Sequence, residues 1–581
     1  MQFPDIPADH NVRGLMARLL LSRGIDSAEA AKQFLNPSLE QLHSPYLLTG
    51  MKAAIDRLEA AIEKREGILV YGDYDVDGTT AVVILKTAIE LCGGSADFHV
   101  PHRIREGYDL RGDVIERAAA AGIRLVISVD AGTRAFAAAE SARRAGVDLI
   151  ITDHHLPGPD GLPRAFAVVN PNQEGCGYPC KALCGAGIAF KVAQALMERK
   201  LAHRDQSQLL RSFLKVAAIA TIADSVPLTG ENRLIASLGL EALRSAINPG
   251  LKALLETAQL ARGIPLNSGE VAFRVAPRIN AAGRMDIAQD VIELFSVKDP
   301  ARAREIALRL DKLNSERQEE ERRIVEAIEH RLSDDSALRQ SYCMVIDGDG
   351  WHRGVIGITA TRVVERYGRP TLVISRDGDA AHGSGRSIPA FHLLNALESC
   401  SQLFTRYGGH AHAVGFSLPC ERVPELRSRL DQYARGRLSP SDFEPVLNVD
   451  GELPLDQITP DLCHAVEKLE PFGAGNPEPM FLARLTRLAA PARVVKEKHV
   501  RLKLTSVQAP AAKSDWRRAV THSAVGWRMG ERFVAEKLLP GDMLDIVFTL
   551  DQNQHPEFGG IELSLRDFNS ARSDAAGSSS V

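Results

Sequence analysis

The chain has 581 residues, which is too many for a single hydrophobic core and predicts three or four domains. Hydrophobic residues make up 45% of it and charged residues 25%, which is ordinary for a globular protein. The formal net charge at pH 7 is −4, which excludes a globally basic protein that attracts nucleic acid through its overall electrostatic field. No signal peptide and no apolar run long enough to span a bilayer is recognisable, so we expect a cytoplasmic protein without a membrane segment, in which local clusters of Arg and Lys would hold any polyanion.

The first predicted elements are a short amphipathic helix and then a parallel sheet. Leu15, Leu19 and Leu20 mark the helix, which lies in an N-terminal segment. From Gly67 onward apolar runs alternate with helical patterns, which predicts parallel strands with helices on both faces. The predicted strands are Ile68–Tyr71, Asp97–Val100, Leu125–Val129, Leu149–Thr152 and Phe166–Val169, and the predicted helices lie near Thr79–Leu91, Val114–Ala121 and Ala135–Ala145.

Three aspartates follow the first predicted strand at every second position. Asp73, Asp75 and Asp77 stand in the segment GDYDVDG, and alternate residues of an extended loop point the same way. Three converging carboxylates would repel one another strongly unless cations were bound between them. An acidic turn on a solvated surface is the alternative, but the buried strand before these residues and the helix start after Gly78 argue against it.

Further acidic and imidazole side chains occur at the ends of later elements. Asp130 lies in SVDAGT, the run Asp153–His155 in ITDHH, and Asp224 in IADSVPL after a helical stretch. Alone, either aspartate would more often be a turn or capping residue, and either histidine a buried core group. Because ligands bind at the carboxyl ends of parallel strands, we expect these side chains to share one cavity with the three aspartates. Hard oxygen ligands beside a His-His pair predict a site for two divalent cations, which usually cleaves phosphate esters.

The segment after the sheet carries two patterns that resemble ligand sites without completing them. Cys176, Cys180 and Cys184 have a spacing that suits zinc, yet no fourth ligand is evident nearby, so a loop with incidental thiols is the preferred interpretation. GAGIAF, which begins at Gly185, lacks the third glycine of a dinucleotide-binding fingerprint and follows no strand.

Mostly helical sequence from Gly185 to Thr257 leads to a segment rich in arginine. RINAAGRM is predicted to form a compact loop in which Arg278, Asn280 and Arg284 clamp a phosphate backbone. Arg103, which follows the second predicted strand, is a further candidate of this kind.

One long charged helix, Ala301–Leu332, is predicted next and connects two bodies of the chain. A second α/β unit begins with the strand Tyr342–Ile346. Its glycine-rich segments GWHRGVIGI, HGSGRSI and YGGHAHAVGF are predicted to be turns that expose backbone N–H groups, with Arg386 gripping phosphate oxygens and Ser384 adding a hydroxyl donor. The alternative is a set of tight turns around a core with incidental histidines.

The last part of the chain shows alternating apolar and polar residues. Val500–Leu504, Met543–Leu550 and Ile561–Leu565 predict a small β-barrel or sandwich, with Arg501 and Lys503 available to touch a phosphate backbone. The polar tail that begins at Ala571 is expected to be disordered.

In chain order, DYDVDG, VDAG, DHH and ADSVPL resemble the four motifs of the DHH phosphoesterase superfamily, and GGHAHAVGF resembles the signature of its DHHA1 partner domain. RINAAGRM, WHRGVIGI and SGRSIPAFHL are similar to segments of the RecJ family of single-stranded-DNA-specific exonucleases. The resemblance covers nearly the whole chain. It implies an α/β fold in which a parallel-sheet DHH domain is joined by a long helix to a smaller α/β DHHA1 domain, followed by a C-terminal OB-like β-barrel.

The resemblance also divides the chain into successive parts. These are an N-terminal helical segment, a DHH catalytic domain, a core extension with the connecting helix, a DHHA1 substrate-binding domain, an OB-like nucleic-acid-binding domain and a disordered tail, over residues 1–50, 51–257, 258–338, 339–440, 441–570 and 571–581.

The activity implied by the resemblance is a 5′→3′ exonuclease that releases mononucleotides in recombination and repair, with two divalent cations, Mn²⁺ or Mg²⁺. The implied metal ligands are Asp73, Asp75, Asp77, Asp130, His154 and Asp224, with His155 as a phosphate contact or proton donor. The implied substrate-binding residues are Arg103, Arg278, Asn280, Arg284, Ser384, Arg386 and His410.

Two residues depart from the family pattern without changing an implied ligand. Ala131 stands where Asn is usual and Asp109 where Gly is common, so both departures concern loop shape.

The implied partner is single-stranded DNA, with a single-stranded-DNA-binding protein and a helicase as candidate protein partners of a monomeric enzyme. One competing hypothesis is a superfamily member that acts on short oligonucleotides, cyclic dinucleotides or pyrophosphate; such chains are generally shorter and lack the terminal β-domain. Another is a DNA-binding relative that has lost its metals, against which the intact carboxylates at Asp75, Asp77, Asp130 and Asp224 argue.

Overall fold

The computed structural model describes residues 9–103, 105–107, 109–203, 205–245, 247–260, 266–285, 288–496, 498–506, 520–553 and 559–570. The predicted disordered tail, 571–581, lies outside these residues. The chain forms two compact units, one comprising Met1–Leu42, Pro227–Ser237 and Leu447–Val581 and the other His43–Val226 and Leu238–Val446. None of the helices in the described ranges combines the length and the apolar content needed to traverse a bilayer.

Two helices open the described chain, α1 (His10–Ser22) and α2 (Ala28–Leu35). The carboxylate of Asp9 caps α1 by accepting hydrogen bonds from the amides of Asn11 and Val12. Leu15, Leu19 and Leu20 are buried, which confirms the predicted amphipathic helix.

The first sheet has five parallel strands in the order β2-β1-β3-β4-β5. The strands are β1 (Gly67–Gly72), β2 (Ala96–His99), β3 (Ile123–Val129), β4 (Asp148–Thr152) and β5 (Ala167–Val169), interleaved with α3 (Met51–Glu63), α4 (Val76–Leu91), α5 (Gly112–Ala120) and α6 (Phe136–Ala145). Apolar side chains of α5 and α6 pack on Leu69, Val126 and Ile151. The predicted parallel α/β sheet is confirmed, and its carboxyl edge carries the loops of the acidic motifs.

A helical region follows the sheet. It contains α7 (Gly185–Lys200), α8 (Ser207–Ala223), α9 (Gly230–Leu243), α10 (Pro249–Thr257), the single turn α11 (Ser268–Glu270), a π-helical turn (Val271–Val275), α12 (Ala276–Met285), α13 (Gln289–Ser296), α14 (Pro300–Asp334) and α15 (Ser336–Arg339). The predicted connecting helix is α14, whose 35 residues begin after the capping residue Asp299.

The compact loop predicted for RINAAGRM, with Arg278, Asn280 and Arg284, is wrong because these residues lie in α12. Gly283 suggested a loop, but its role is close approach: a Cβ at this position would clash with the carbonyl oxygen of Tyr74 in the acidic loop.

The second sheet has the strand order β6-β7-β8-β10-β9 and belongs to the same unit as the first. Its strands are β6 (Met344–Asp349), β7 (Thr371–Asp377), β8 (Ala380–Arg386), β9 (Arg406–Gly409) and β10 (Ala413–Pro419), and its helices are α16 (Ile356–Tyr367), α17 (Leu393–Glu398) and α18 (Val423–Arg435). β6 pairs with β7 in parallel and the other neighbours are antiparallel. This confirms the predicted smaller α/β body.

The turns predicted for HGSGRSI and YGGHAHAVGF are wrong. Ala380–Arg386 is a strand in which Ser384 and Arg386 share one face, and most of the second segment lies in β9 and β10. The glycines of β8 are required by packing: a Cβ on Gly383 would clash with the ring of Phe416, and one on Gly385 would lie 2.8 Å from Leu393 Cδ2.

A closed barrel forms the last part of the other unit. Its strands are β11 (Gly451–Glu452), β12 (Phe481–Leu488), β13 (Arg493–Val495), β14 (His499–Ser506), β15 (Thr521–Gly526), β16 (Met543–Asn553) and β17 (Gly560–Ser570), with α19 (Pro460–Glu467) and α20 (Gly530–Ala535). Pairing runs β12-β16-β17-β15-β14 and returns from β14 to β12, with β15 and β17 parallel. This five-stranded ring has the OB-fold topology, so the predicted OB-like barrel is confirmed.

Candidate metal and phosphate site

The acidic loop after β1 is held by the start of two helices. The carboxylate of Asp75 caps α4 by accepting a hydrogen bond of 3.0 Å from the Gly78 amide. The carboxylate of Asp77 accepts hydrogen bonds from the amides of Gly185 and Ala186, at 2.6 and 2.8 Å, at the N-terminus of α7. The positive end of α7 therefore stabilises the charge of Asp77. In contrast, the Oδ1 atom of Asp73 is buried without a hydrogen-bond partner among the described residues.

Asp130 enters the same cavity from the end of β3. Its backbone has a φ of 59°, a left-handed value that is uncommon outside glycine, and its amide donates to the carbonyl of Thr152. A Cβ on Gly185 would lie 2.5 Å from the Cβ of Asp130, so only glycine allows α7 to approach this closely. In the part of the chain that the structure describes, no donor is aligned for a hydrogen bond to the buried Oδ1 of Asp130.

His154 faces three carboxylates from different elements. Its Nε2 atom lies 3.2 Å from Asp130 Oδ1 and 3.9 Å from both Asp77 Oδ2 and Asp224 Oδ2. Asp224 reaches this position from the C-terminal cap of α8. Burial lowers the pKa of His154, which favours the neutral imidazole that binds metals.

The donor atoms fall into overlapping groups whose members lie within 4.8 Å of one another. The three groups found in the described part of the chain are Asp73–Asp75–Asp130, Asp77–His154–Asp224 and Asp130–Asp153–His154–His155. The structure thus brings together every side chain predicted as a metal ligand. Cysteine is absent from all three groups, so they offer no support for zinc at Cys176, Cys180 and Cys184.

The crowding and burial of the carboxylates disfavour their ionised forms. Burial, and then the neighbouring carboxylates, raise the pKa of Asp73, Asp75 and Asp130, and the same causes raise the pKa of Asp224 to about 8. A positive charge between them would remove this penalty. The buried carboxylate oxygens and the donor set of carboxylates with one imidazole fit Mn²⁺ or Mg²⁺.

Asp153 organises the turn that carries the two histidines. It accepts hydrogen bonds from the amides of Thr133, His154 and His155 and lies 2.7 Å from Nδ1 of His155. Burial would lower the pKa of His155, but the hydrogen bond and charge of Asp153 outweigh it and raise the pKa to about 9. This environment favours the protonated form of His155.

Three arginines gather beside the acidic cluster. Arg103 lies over the ring of Tyr74 at 4.9 Å, Arg284 donates to the carbonyl of Gly354 at 3.1 Å, and Arg386 donates to the carbonyl of Gly385 at 2.8 Å. Burial, followed by the charge of Arg103, lowers the pKa of Arg284 to about 10 and also lowers the pKa of Arg386. Within the described residues none of the three forms an ion pair. This arrangement favours an external anion.

The N-terminus of α16 adjoins this arginine group. A Cβ on Gly357 would lie 3.0 Å from Ser384 Oγ and 3.4 Å from Arg386 Nη2, so the first turn of the helix, Ser384 and Arg386 are neighbours. Backbone N–H groups at a helix start favour anions. His410 lies at the β9–β10 turn, where burial and then the charges of His412 and Arg386 lower its pKa.

Two predicted substrate contacts are engaged with the protein itself. Arg278 forms an ion pair of 2.8 Å with Asp311 of α14, and the side-chain oxygen of Asn280 accepts a hydrogen bond of 3.1 Å from the Val76 amide. Asn280 thus braces the acidic loop. Tyr74, which supports Arg103, was not predicted; its only sequence signal is its position between Asp73 and Asp75.

Asp109 has a φ of 86°, a left-handed value that favours glycine. Its carbonyl accepts a hydrogen bond from the Tyr71 hydroxyl and its carboxylate one from the Leu110 amide, so these bonds stabilise the left-handed backbone.

Comparisons with known proteins agree with this architecture. Three family models match: the DHH family N-terminal domain over residues 67–221, the DHHA1 domain over 339–436 and the RecJ OB domain over 449–567. The single-stranded-DNA-specific exonuclease RecJ of Bacillus subtilis is 37% identical over 561 residues, covering 96% of this chain and 68% of that protein. The protein of the same name from Dickeya dadantii is 36% identical over 508 residues, covering 84% and 86%.

A solved structure shares the fold. The crystal structure of RecJ from Thermus thermophilus in complex with Mn²⁺ has a TM-score of 0.77 and 28% identity, covering 97% of this chain and 78% of that one.

Proposed function

The chain belongs to the RecJ family of single-stranded-DNA-specific exonucleases, and on this premise we propose that it removes mononucleotides from single-stranded DNA in the 5′→3′ direction with two divalent cations, Mn²⁺ or Mg²⁺. The observation that carries the proposal is the meeting of the carboxylates and His154 beside three arginines that lack ion-pair partners among the described residues. We assign this activity to DNA recombination and repair.

The proposed metal ligands divide between the groups described above. Asp73, Asp75 and Asp130 would hold one cation and Asp77, His154 and Asp224 the other. Asp130 Oδ1 lies 3.2 Å from Nε2 of His154, so the two groups adjoin. When bound, such cations activate a water molecule and neutralise charge on the phosphate. The protein positions its own groups with the start of α7, which holds Asp77, and with Asn280, which holds the acidic loop.

His155 is proposed as the phosphate contact or proton donor. Its Nδ1 lies 2.7 Å from Asp153, so the role is proposed for its other ring nitrogen. The support is the fixed orientation that Asp153 imposes next to the metal-binding group.

The arginine group is proposed to bind the phosphates at the 5′ end of the strand. Arg103, Arg284 and Arg386, with Ser384 and the start of α16, offer the fork-shaped donors that phosphate accepts. The charge of Arg386 contributes to the lowered pKa of His410, so the two side chains are close neighbours. His410 is therefore proposed as a further phosphate contact. Binding the terminal phosphates there orients the strand, which is the basis of the proposed polarity.

The OB barrel is proposed to bind a longer stretch of the strand. Trp527 is 60% exposed and its ring packs against the ring of His499 at 4.8 Å. Arg501 and Lys503 are exposed on β14, and bases stacked on an aromatic ring with phosphates on basic residues are typical of single-strand binding. The barrel argues against a superfamily member restricted to short oligonucleotides, and the intact carboxylates argue against a metal-free relative.

Degradation of 5′- and 3′-labelled single strands with Mn²⁺ tests the proposal. We expect the 5′ label to appear at once as mononucleotide while the 3′-labelled strand shortens gradually. Asp75→Ala should lower the rate by more than about 100-fold, since changes outside the metal ligands already cost 10–100-fold. Asp113→Ala, at an aspartate of α5 paired with Arg111 and Arg117, is the control and should keep full activity.

Release of the 3′ label first would refute the polarity. Undiminished activity of Asp75→Ala would refute the site assignment.

A further inference from the structure

The segment that follows β5 contacts the two-histidine turn directly. Asp153 donates its amide to the carbonyl of Val169, the last residue of β5, so the ends of β4 and β5 remain side by side. The next residues are Asn170, Pro171 and Asn172. The side-chain NH₂ of Asn172 donates to the carbonyl of His154 at 2.7 Å, and that of Asn170 to the carbonyl of His155 at 2.9 Å.

These two bonds complete a set that fixes both histidine peptides. The amides of His154 and His155 donate to the carboxylate of Asp153, at 2.8 and 3.2 Å, while their carbonyls accept from the two asparagines. Every backbone polar group of the two histidines is therefore bound to one of three side chains. These bonds fix the orientation of the peptide planes of the turn, with Asp153 binding the amides and the asparagines binding the carbonyls. The direction in which the His154 ring leaves the backbone is fixed with them.

The asparagines are themselves rigidly held. Asn170 is fully buried, its side-chain NH₂ also donates to Thr133 Oγ1, and its side-chain oxygen accepts from the Asn172 amide at 2.8 Å. Lys181 donates to the carbonyls of Pro171 and Cys176, at 2.8 and 2.6 Å. The segment is therefore held by hydrogen bonds within the protein.

We propose that Asn170 and Asn172 are positioning residues of the metal site, which set the approach of His154 Nε2 to Asp130, Asp77 and Asp224. This inference rests on the proposed function, because it assigns His154 to a metal. Side chains that orient a metal-binding histidine typically contribute 10–100-fold to metal affinity or activity. Without the Asn172 bond, the peptide between His154 and His155 keeps only the hydrogen bond of the His155 amide to Asp153, so the direction of the His154 ring toward the three carboxylates is less firmly fixed.

Isothermal titration of the metal-free full chain with Mn²⁺ tests this role. Asn172→Ala is expected to weaken Mn²⁺ binding by about 10-fold and to lower kcat by a similar factor. The KM for single-stranded DNA should stay within about twofold of wild type, because the arginine group is untouched.

Asn248→Ala is the matched control. Asn248 also donates its side-chain NH₂ to a carbonyl, that of Phe295 at 2.8 Å, but it lies at the start of α10. Asn248→Ala is expected to lose about as much thermal stability as Asn172→Ala, while its Mn²⁺ affinity stays that of the wild type. Asn172→Asp, which keeps the size of the side chain but turns a carboxylate oxygen toward the His154 carbonyl, should bind Mn²⁺ no better than Asn172→Ala.

Wild-type Mn²⁺ affinity in both Asn172 variants, together with loss of binding in Asp130→Asn, would overturn this inference alone. If Asp130→Asn also bound Mn²⁺ like the wild type, the metal assignment in the proposed function would fail.

Discussion

Gly185 shows how much of the candidate site depends on a single missing side chain. It is the first residue of α7, its amide holds Asp77, and its Cα faces Asp130. Gly185→Ala should therefore separate Asp77 from Asp130 and lower exonuclease activity by more than about 10-fold, with weaker Mn²⁺ binding.

Gly187→Ala is the control on the same helix. A Cβ there would lie 3.3 Å from the end of the Leu183 side chain, which can move, so near-normal activity is expected. Equal activity of the two variants would show that the close packing of α7 on Asp130 is dispensable. Both rates are measured with Mn²⁺ on a 5′-labelled strand.

At the level of residues, the sequence predicted which side chains meet but not all of their partners. The alternating aspartates and the DHH run predicted the cluster because strand ends converge in a parallel sheet. The engagement of Arg278 by Asp311 could not be predicted, since it depends on the packing of α12 against α14. The contacts of Asn170 and Asn172 with the histidine turn were not predicted either, because they depend on how the segment after β5 packs against the end of β4. Both asparagines nevertheless follow a predicted strand at the carboxyl edge of the sheet.

At the level of elements, the patterns predicted the strands of the first sheet, the long helix and the barrel well. The segment YGGHAHAVGF, predicted as a turn, lies mostly in β9 and β10. The other two exceptions are α12 and β8, where glycine suggested loops or turns. In both elements the glycine is required because another part of the chain, Tyr74 or Phe416, lies where a Cβ would stand. A local pattern cannot distinguish a glycine needed for a turn from one needed for close packing.

The contact between α14 and α16 gives a prediction about stability. Arg317 and Glu321, each with 11% of the side chain exposed, form an ion pair of 2.8 Å, and Glu321 also pairs with Arg362 of α16 at 3.0 Å. Glu321→Ala leaves the buried Arg317 without its carboxylate and should lower the free energy of unfolding by about 3 kcal/mol or more. Urea denaturation of the full chain measures this change.

Glu326→Ala is the comparison on the same helix. Glu326 is 62% exposed and pairs with Arg322 at 3.2 Å, so its removal should cost about 0–1 kcal/mol. If the two variants were equally stable, the buried pair would contribute no more than a surface pair.

At the level of the whole molecule, the composition predicted several domains but not how the chain is shared between them. The core of the barrel unit includes Leu15 and Leu19 of α1 together with Leu462 and Phe481. An amphipathic helix shows that it packs against another part of the chain, but not against which part. The sequence therefore suggested domains that follow one another along the chain, whereas in the structure stretches far apart in sequence form one unit. The net charge of −4 was equally uninformative about DNA, because the relevant arginines form a small local group.

The barrel leads to a prediction about long substrates. If Trp527 stacks a base, Trp527→Ala should raise the KM for long single strands by about 5-fold or more, which corresponds to the roughly 1–3 kcal/mol of one stacked base, and should leave kcat unchanged. Leu539→Ala, at a residue of the same unit that is 66% exposed, should leave KM unchanged. Equal KM values for both variants and the wild type would exclude this ring from strand binding.

The most direct test of the account is the anomalous diffraction of crystals of this protein soaked with Mn²⁺. We predict two manganese peaks, each within bonding distance of carboxylate oxygens from the set Asp73, Asp75, Asp77, Asp130 and Asp224, with His154 Nε2 bound to one of them. Manganese found away from these side chains, or no manganese at millimolar concentration, would contradict it.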